Sequence, residues 1–278
     1  MKRIYCNLPD SLYEALMERV QTDKTSFDHV LSTALSQCLG KPFHTLFQVS
    51  TSAALVEGLY QGAVTVARLL IHGDFGLGTF IDLDGEMVVL DGICYQISSD
   101  GKVSEVERDR LIPYAVVTYF NAEFSEKRAE LDSFAELVAT CDRLRDSENL
   151  FYAFRIDGTF SLLKTRVMKP VTDGTGLKEA ASAQQEFLFQ EEEGILVGIW
   201  SPGFAGSFSV PGYHFHFLSN NRERGGHVLE CKVRKAVISG CAMHEMHVSL
   251  PETTEFLKAN LSGDPAGDLA SAERNHGS

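Results

Sequence analysis

Three histidines stand where a strand hairpin would bring them together. In Gly212-Tyr213-His214-Phe215-His216-Phe217 two imidazoles are separated by one residue, and residues i and i+2 of a strand share a face. His214 and His216 then point one way, while Tyr213, Phe215 and Phe217 point the other, into apolar packing. The following stretch, Leu218 to Arg224, is polar and gives way to Gly225-Gly226, which reads as a hairpin loop. The returning strand, His227-Val228-Leu229, sets His227 beside His216, where cross-strand Cβ atoms lie about 4.5–5.5 Å apart. Three converging imidazoles suit zinc, which takes nitrogen at about 2.0–2.1 Å and in catalytic sites keeps one position open for water or substrate. The alternative is three ordinary strand histidines on the wet face of a sheet. The third imidazole, across a short glycine-bounded loop, favours the metal.

The elements that position this hairpin can be read in order. After Gln48-Val49-Ser50-Thr51, Ala53 to Tyr60 and Val64 to Ile71 read as helices, the second ending at His72-Gly73. Gly76-Leu77-Gly78-Thr79-Phe80 lacks a downstream Gly-Lys-Ser/Thr and opens a strand, which excludes nucleotide binding by a phosphate loop. Asp84-Gly85, Asp91-Gly92 and Asp100-Gly101 punctuate short runs of Val, Ile and aromatics, the pattern of a β-meander. Ile112 to Phe120 reads as a strand and Ser125 to Arg145 as a helix with Leu131, Phe134, Leu137 and Val138 at helical spacing. Leu150 to Ile156 and Thr159 to Met168 read as a hairpin turning at Asp157-Gly158. Beyond a connection at Pro170 to Gly176 come a helix (Leu177 to Gln185), an acidic turn (Glu191 to Glu193), a strand (Gly194 to Trp200) and the histidine hairpin. Lys232 to Leu250 supplies two more strands, and a helix runs from Glu252 to Ala259. His244-Glu245-Met246-His247 lies in an alternating stretch, where i and i+3 face opposite ways and cannot share a metal, so it reads as structural. The fold class is α+β: two mixed or antiparallel sheet subdomains with flanking helices, residues 43–169 forming the N-terminal half and 170–278 the half that carries the histidines.

The first forty residues differ. Lys2 to Leu8 alternates as a strand, Asp10 or Ser11 is placed to cap a helix carrying Leu12, Leu16, Met17 and Val20, and Thr22 to Ser26 breaks it and caps a second helix. A β-α-α unit of this size cannot bury its apolar faces alone, which points to a homodimer. The pattern resembles the ribbon-helix-helix module, in which Arg3, Tyr5 and Asn7 would face a DNA groove. The segment has four basic and five acidic residues, a poor balance for neutralising phosphate, so dimerisation is the expected role and a DNA-binding, metabolite- or metal-sensing regulator the alternative.

The bulk numbers fit a soluble globular protein. The chain has 278 residues, 44% hydrophobic and 23% charged, enough for one large or two modest cores. A net charge of −13 argues against general nucleic-acid binding and against anionic membranes. Six scattered cysteines without a Cys-x-x-Cys read as reduced thiols, and the absence of a signal-peptide core or an apolar run of about 18 residues places the expectation in the cytoplasm.

Four stretches together resemble the acetolactate decarboxylase family, from about residue 43 onward: Gln48-Val49-Ser50-Thr51; His72 to Phe80 with Asp84-Gly85-Glu86; Asn149 to Gly158 with Lys164-Thr165-Arg166; and Gly212 to Phe217 with Gly225-Gly226-His227. The resemblance implies a zinc enzyme that decarboxylates 2-acetolactate to acetoin through a metal-stabilised enediolate, protonated on one face. It implies His214, His216 and His227 as the metal ligands, Glu86, Arg166 and Glu273 as catalytic residues, and Thr79 with Arg166 as substrate-binding residues. Of these Glu273 has no fixed motif around it. His72 is a further candidate for the pocket wall. The chain departs from the family in the 218–224 loop and at Glu230-Cys231, where an Asp followed by an aromatic is common.

Overall fold

The computed structural model describes residues 5–40, 44–171, 174–263 and 265–273, and falls into two units, Met1–Phe43 and His44–Ser278. The first holds helices α1 (Asp10–Thr22) and α2 (Phe27–Leu39). Pro9 precedes α1 without a side-chain cap, so neither Asp10 nor Ser11 caps it as expected; Asp10 instead lies in the first turn, where its charge meets the positive end of the helix. Ser26 does cap α2, its hydroxyl accepting from the His29 N–H. Neither helix has a buried residue. Of the expected strand from Lys2 to Leu8, residues 2–4, Arg3 among them, lie outside the described residues. Tyr5 to Leu8 form no strand, since a lone strand has no neighbour to pair its backbone groups.

The second unit contains strands β1 (Thr45–Val49), β2 (Val64–Thr65), β3 (Phe75–Thr79), β4 (Glu86–Leu90), β5 (Ile93–Ile97), β6 (Val103–Glu105), β7 (Leu111–Ile112), β8 (Tyr114–Thr118), β9 (Phe124–Leu131), β10 (Phe151–Val167), β11 (Gln185–Phe189), β12 (Glu192–Ser201), β13 (Gly212–Ser219), β14 (Gly225–Met243) and β15 (Glu245–Ser249). Helices α3 (Ser52–Val56), α4 (Val66–Leu69), α5 (Phe134–Leu144), α6 (Leu177–Ser182), α7 (Thr254–Lys258) and α8 (Ala266–Glu273) flank them. One sheet runs β15-β1-β8-β3-β4-β5-β6 and is antiparallel except for the parallel β1–β15 pair. The other runs β11-β10-β12-β13-β14-β9, and β14 also pairs back onto β10. The pairings β10–β12–β13–β14–β10 therefore close into a small barrel. Register shifts near Thr159, Phe160 and Thr165 supply the bulges that let a 17-residue strand bend around it.

Two expectations fail because pairing at long range overrides local signals. The Asp157-Gly158 dipeptide is not a turn. β10 runs straight through it, flanked by β12 on one side and β14 on the other. A Cβ on Gly158 would come 2.6 Å from the Lys235 carbonyl oxygen, so glycine here permits close strand approach, not chain reversal. Likewise the first part of the expected helix from Ser125 is β9, paired to β14; only Phe134–Leu144 is helical, started by Ser133, whose hydroxyl accepts from the Glu136 N–H. Smaller differences follow the same logic. Pro113 divides Ile112 from β8, and β11 and α8 were not foreseen; Lys232 to Leu250 does hold two strands, the first a continuation of the histidine return strand β14 and the second β15. The meander turns do form, with positive φ at Gly85, Gly92 and Gly101.

The apolar core has a shared component that takes Leu46, Leu77, Val88 and Val116 from the first sheet and Ala153, Ile195, Val197 and Leu218 from the second. A separate cluster joins Phe154, Phe160, Leu196, Phe215 and Phe217 with Val233 and Ile238, all from the barrel strands and β9's neighbours. Phe215 and Phe217 thus point into the barrel, as the alternation predicts. Their odd-numbered face being apolar, the even-numbered histidines of β13 face the other sheet.

Candidate active site

The β13–β14 ladder sets His216 opposite His227, and the three imidazoles gather with ring centroids 4.8, 4.8 and 5.5 Å apart. Their candidate ligand atoms all lie within 4.8 Å of one another. His214 Nε2 and His216 Nε2 are 3.0 Å apart, close to the roughly 3.3 Å spanned by two nitrogens on a tetrahedral zinc ion. His216 Nδ1 donates to the Met87 carbonyl at 2.7 Å. That bond fixes the tautomer and leaves the Nε2 lone pair facing the other imidazoles, the support expected behind a metal ligand. Burial, with the nearby Arg166 charge, pushes His214 down to about 3. A neutral imidazole at ordinary pH is the form that binds a cation. The donor set and its geometry fit a divalent ion.

The register of the sheets brings the remaining polar residues to the same place. Arg166 lies directly across β10–β14 from His227, so Arg166, His227 and His216 form one cross-strand row. Arg166 is 4% exposed. Glu86, 5% exposed, begins β4; its Oε2 is 3.5 Å from His216 Nε2 and its Oε1 accepts from the Met168 N–H at 3.3 Å. Thr79 is the β3 partner of Glu86, and its hydroxyl donates to the Gly85 carbonyl at 2.9 Å. These residues form the polar wall of a pocket whose other wall is Leu55, Leu83, Tyr114, Met168, Leu177 and Val210.

Other segments hold the cavity in shape. The Gln48 side-chain amide donates to the carbonyls of Ser50 and Phe208, and the Ser52 hydroxyl donates to the Gly206 carbonyl. These bonds anchor the loop that leads into β13 and carries Val210. Thr51 caps α3, which presents Leu55 to the cavity. The Gln48 to Thr51 stretch is thus scaffolding for the histidine strand.

Of the residues singled out from the sequence, Glu86, Arg166, Thr79, His214, His216 and His227 converge on this cavity. Glu273 closes α8, but its side chain lies outside the described residues. Leu269 and Ala272 of α8 are buried in the same cluster as Leu55, Leu177 and Val210, so the last helix does pack against the elements of the apolar wall. His72 is not part of the wall; it stacks on Phe47 with centroids 3.7 Å apart. Among the described residues, His214, His216 and His227 are the cluster with metal-binding geometry, and His244 and His247 are not in it. Sequence reading missed the Met87 carbonyl, which carries no side-chain signature, and Gln184, which accepts from Arg166 Nη1 at 3.0 Å and could be suspected only once Arg166 was placed.

The sequence model of the family described as Alpha-acetolactate decarboxylase matches residues 46–263. An alpha-acetolactate decarboxylase of Methanosarcina mazei is 40% identical over 230 residues, 82% of this chain and 80% of that protein. One from Brevibacillus brevis is 35% identical over 233 residues, 84% and 82% of the two chains. The crystal structure of alpha-acetolactate decarboxylase from Bacillus subtilis strain 168 superposes with a TM-score of 0.81 at 32% identity, covering 83% of this chain and 100% of that one.

Proposed function

The chain belongs to the alpha-acetolactate decarboxylase family, and from that premise we propose that it converts 2-acetolactate to acetoin and CO2 in the cavity between its sheets, with zinc held by His214, His216 and His227. The observation that carries the reading is the convergence of three imidazoles, a buried carboxylate and a buried guanidinium on one pocket. An ion held by these three imidazoles would supply the Lewis acidity that stabilises the negative charge left when the carboxyl group departs.

The chain's own residues do the rest. Arg166, permanently cationic and fork-shaped, binds the substrate carboxylate and orients its C–C bond for cleavage. Loss of CO2 leaves an enediolate, which must gain one proton at carbon to become acetoin. Glu86 in its acid form delivers that proton from a carboxyl oxygen and regains one from solvent before the next turnover, and its fixed position on one wall sets the face that receives it. The Thr79 hydroxyl, committed as a donor to Gly85, offers its lone pairs to a substrate hydroxyl. Leu55, Leu83, Leu177 and Val210 keep water from competing for the carbanionic carbon. Glu273 is a further catalytic carboxylate in this reading, brought by α8.

We further propose a cytoplasmic homodimer. The six cysteines are free thiols, which suits a reducing compartment, and no helix among the described residues is long and apolar enough to cross a membrane. α1 and α2, with no fully buried residue in the single chain, are the proposed dimer contact. A DNA-binding regulator built on residues 1–40 gains no support from the comparisons, and the charge of that segment is against it.

The test is direct. Zinc content and acetoin release from 2-acetolactate are measured before and after treatment with a chelator, then after zinc is restored. Activity that follows zinc supports the proposal; full activity in zinc-free protein, or none in the zinc-loaded form, overturns it.

A further inference from the structure

Arg166 and Glu186 face each other across the β10–β11 ladder, a position where opposite charges ordinarily pair. Instead, Glu186 Oε2 goes to Lys164 Nζ at 3.0 Å. Gln184 stands at the junction of α6 and β11 and bridges the two: its Oε1 accepts from Arg166 Nη1 at 3.0 Å, and its Nε2 donates to Glu186 Oε1 at 3.4 Å. The amide therefore reaches a buried guanidinium on one side and a half-exposed carboxylate on the other.

We propose that Gln184 is a positioning residue for Arg166, fixing its guanidinium through Nη1 with a neutral acceptor and holding Glu186 on the Lys164 side. The chemistry explains why an amide stands here. A carboxylate at the same distance would grip Arg166 more tightly, but it would compete with an anionic substrate for the same cation. An amide orients the fork and adds no negative charge. Because α6 also sends Leu177 into the cavity wall, the residue ties the apolar and cationic walls to one short segment. The inference rests on the reading of Arg166 as the group that binds the substrate carboxylate.

The experiment compares Gln184→Glu, Gln184→Ala and Arg166→Ala with the parent enzyme, all zinc-loaded and matched for metal content and melting temperature. Steady-state acetoin release gives KM and kcat. Calorimetric binding of 2-hydroxy-2-methylpropanoate, a 2-hydroxy acid without the ketone, reports carboxylate capture apart from turnover. Gln184→Glu is expected to raise KM for 2-acetolactate about tenfold or more, to lower kcat less, and to weaken binding of the inert acid in parallel. Gln184→Ala, which loses orientation without adding charge, should fall between it and the parent. A Gln184→Glu enzyme with parental KM, beside a crippled Arg166→Ala, overturns the role of Gln184 alone, as does a Gln184→Ala enzyme worse in KM than Gln184→Glu. An Arg166→Ala enzyme that binds the inert acid and turns over like the parent removes the reading of Arg166, and this inference with it.

Discussion

Glu86 sits at the start of β4 with one carboxyl oxygen on the Met168 N–H and the other 3.5 Å from His216. Replacing it by glutamine keeps shape and the acceptor for Met168, but removes the acid. Glu86→Gln should therefore fold, hold zinc and lose about 10²-fold or more of its turnover. His216→Ala should do the reverse. It removes one donor and the Met87 bond that orients it, so metal analysis after dialysis should find the protein depleted of zinc, and activity should fail for that reason. A fully active Glu86→Gln would take Glu86 out of proton delivery; a zinc-replete His216→Ala would break the three-histidine assignment. The histidines were legible in the sequence because alternation along one strand and a short return loop are local. Glu86 and Arg166 have no such local mark. An acid after a turn and an arginine in a strand are ordinary surface choices, and only the motif resemblance drew them out; their burial comes from the meeting of two sheets.

Among the elements, β10 is where local and global signals part. Asp157-Gly158 carries the composition of a turn, yet it lies in the middle of a strand hydrogen-bonded on both sides. The aspartate is held by Arg155, whose Nε donates to it at 3.0 Å, and the glycine lets the Lys235 carbonyl come close. Gly158→Ala would push a methyl group to 2.6 Å from that oxygen, a backbone atom that cannot swing aside. The substitution should destabilise the protein by about 1–3 kcal/mol, read from the midpoint of chemical denaturation. An unchanged midpoint would contradict the close packing of β10 on β14. The β-meander, by contrast, was legible in full outline, because each of its strands pairs with its neighbour in sequence. What escaped was barrel closure. The β10–β14 pair joins residues such as Phe151 and Met243, and nothing in either segment names the other.

At the scale of the whole molecule, the two units differ in how they are stabilised. The second has an apolar cluster shared by its two large sheets, with further clusters beside it, together with the cavity and the polar residues gathered around it. The first is a pair of 13-residue helices with no buried residue; Leu12, Tyr13, Leu35 and Leu39 are exposed. Isolated helices of this length are marginal in water and draw their stability from an apolar face packed against something else. The family match begins only at residue 46, so the chemistry has no evident need of the helices. Removal of residues 1–43 should therefore leave kcat/KM for 2-acetolactate within about twofold of the full chain, as for a unit with its own core. Sedimentation of the two forms side by side then locates the dimer contact. If the full chain is a dimer and the shortened one a monomer with undiminished turnover, α1 and α2 hold the copies together, and the exposed leucines are the surface that does it. A shortened protein that still pairs places the contact on the body instead. One that loses turnover in proportion to its loss of pairing would mean that the cavity depends on the assembled pair.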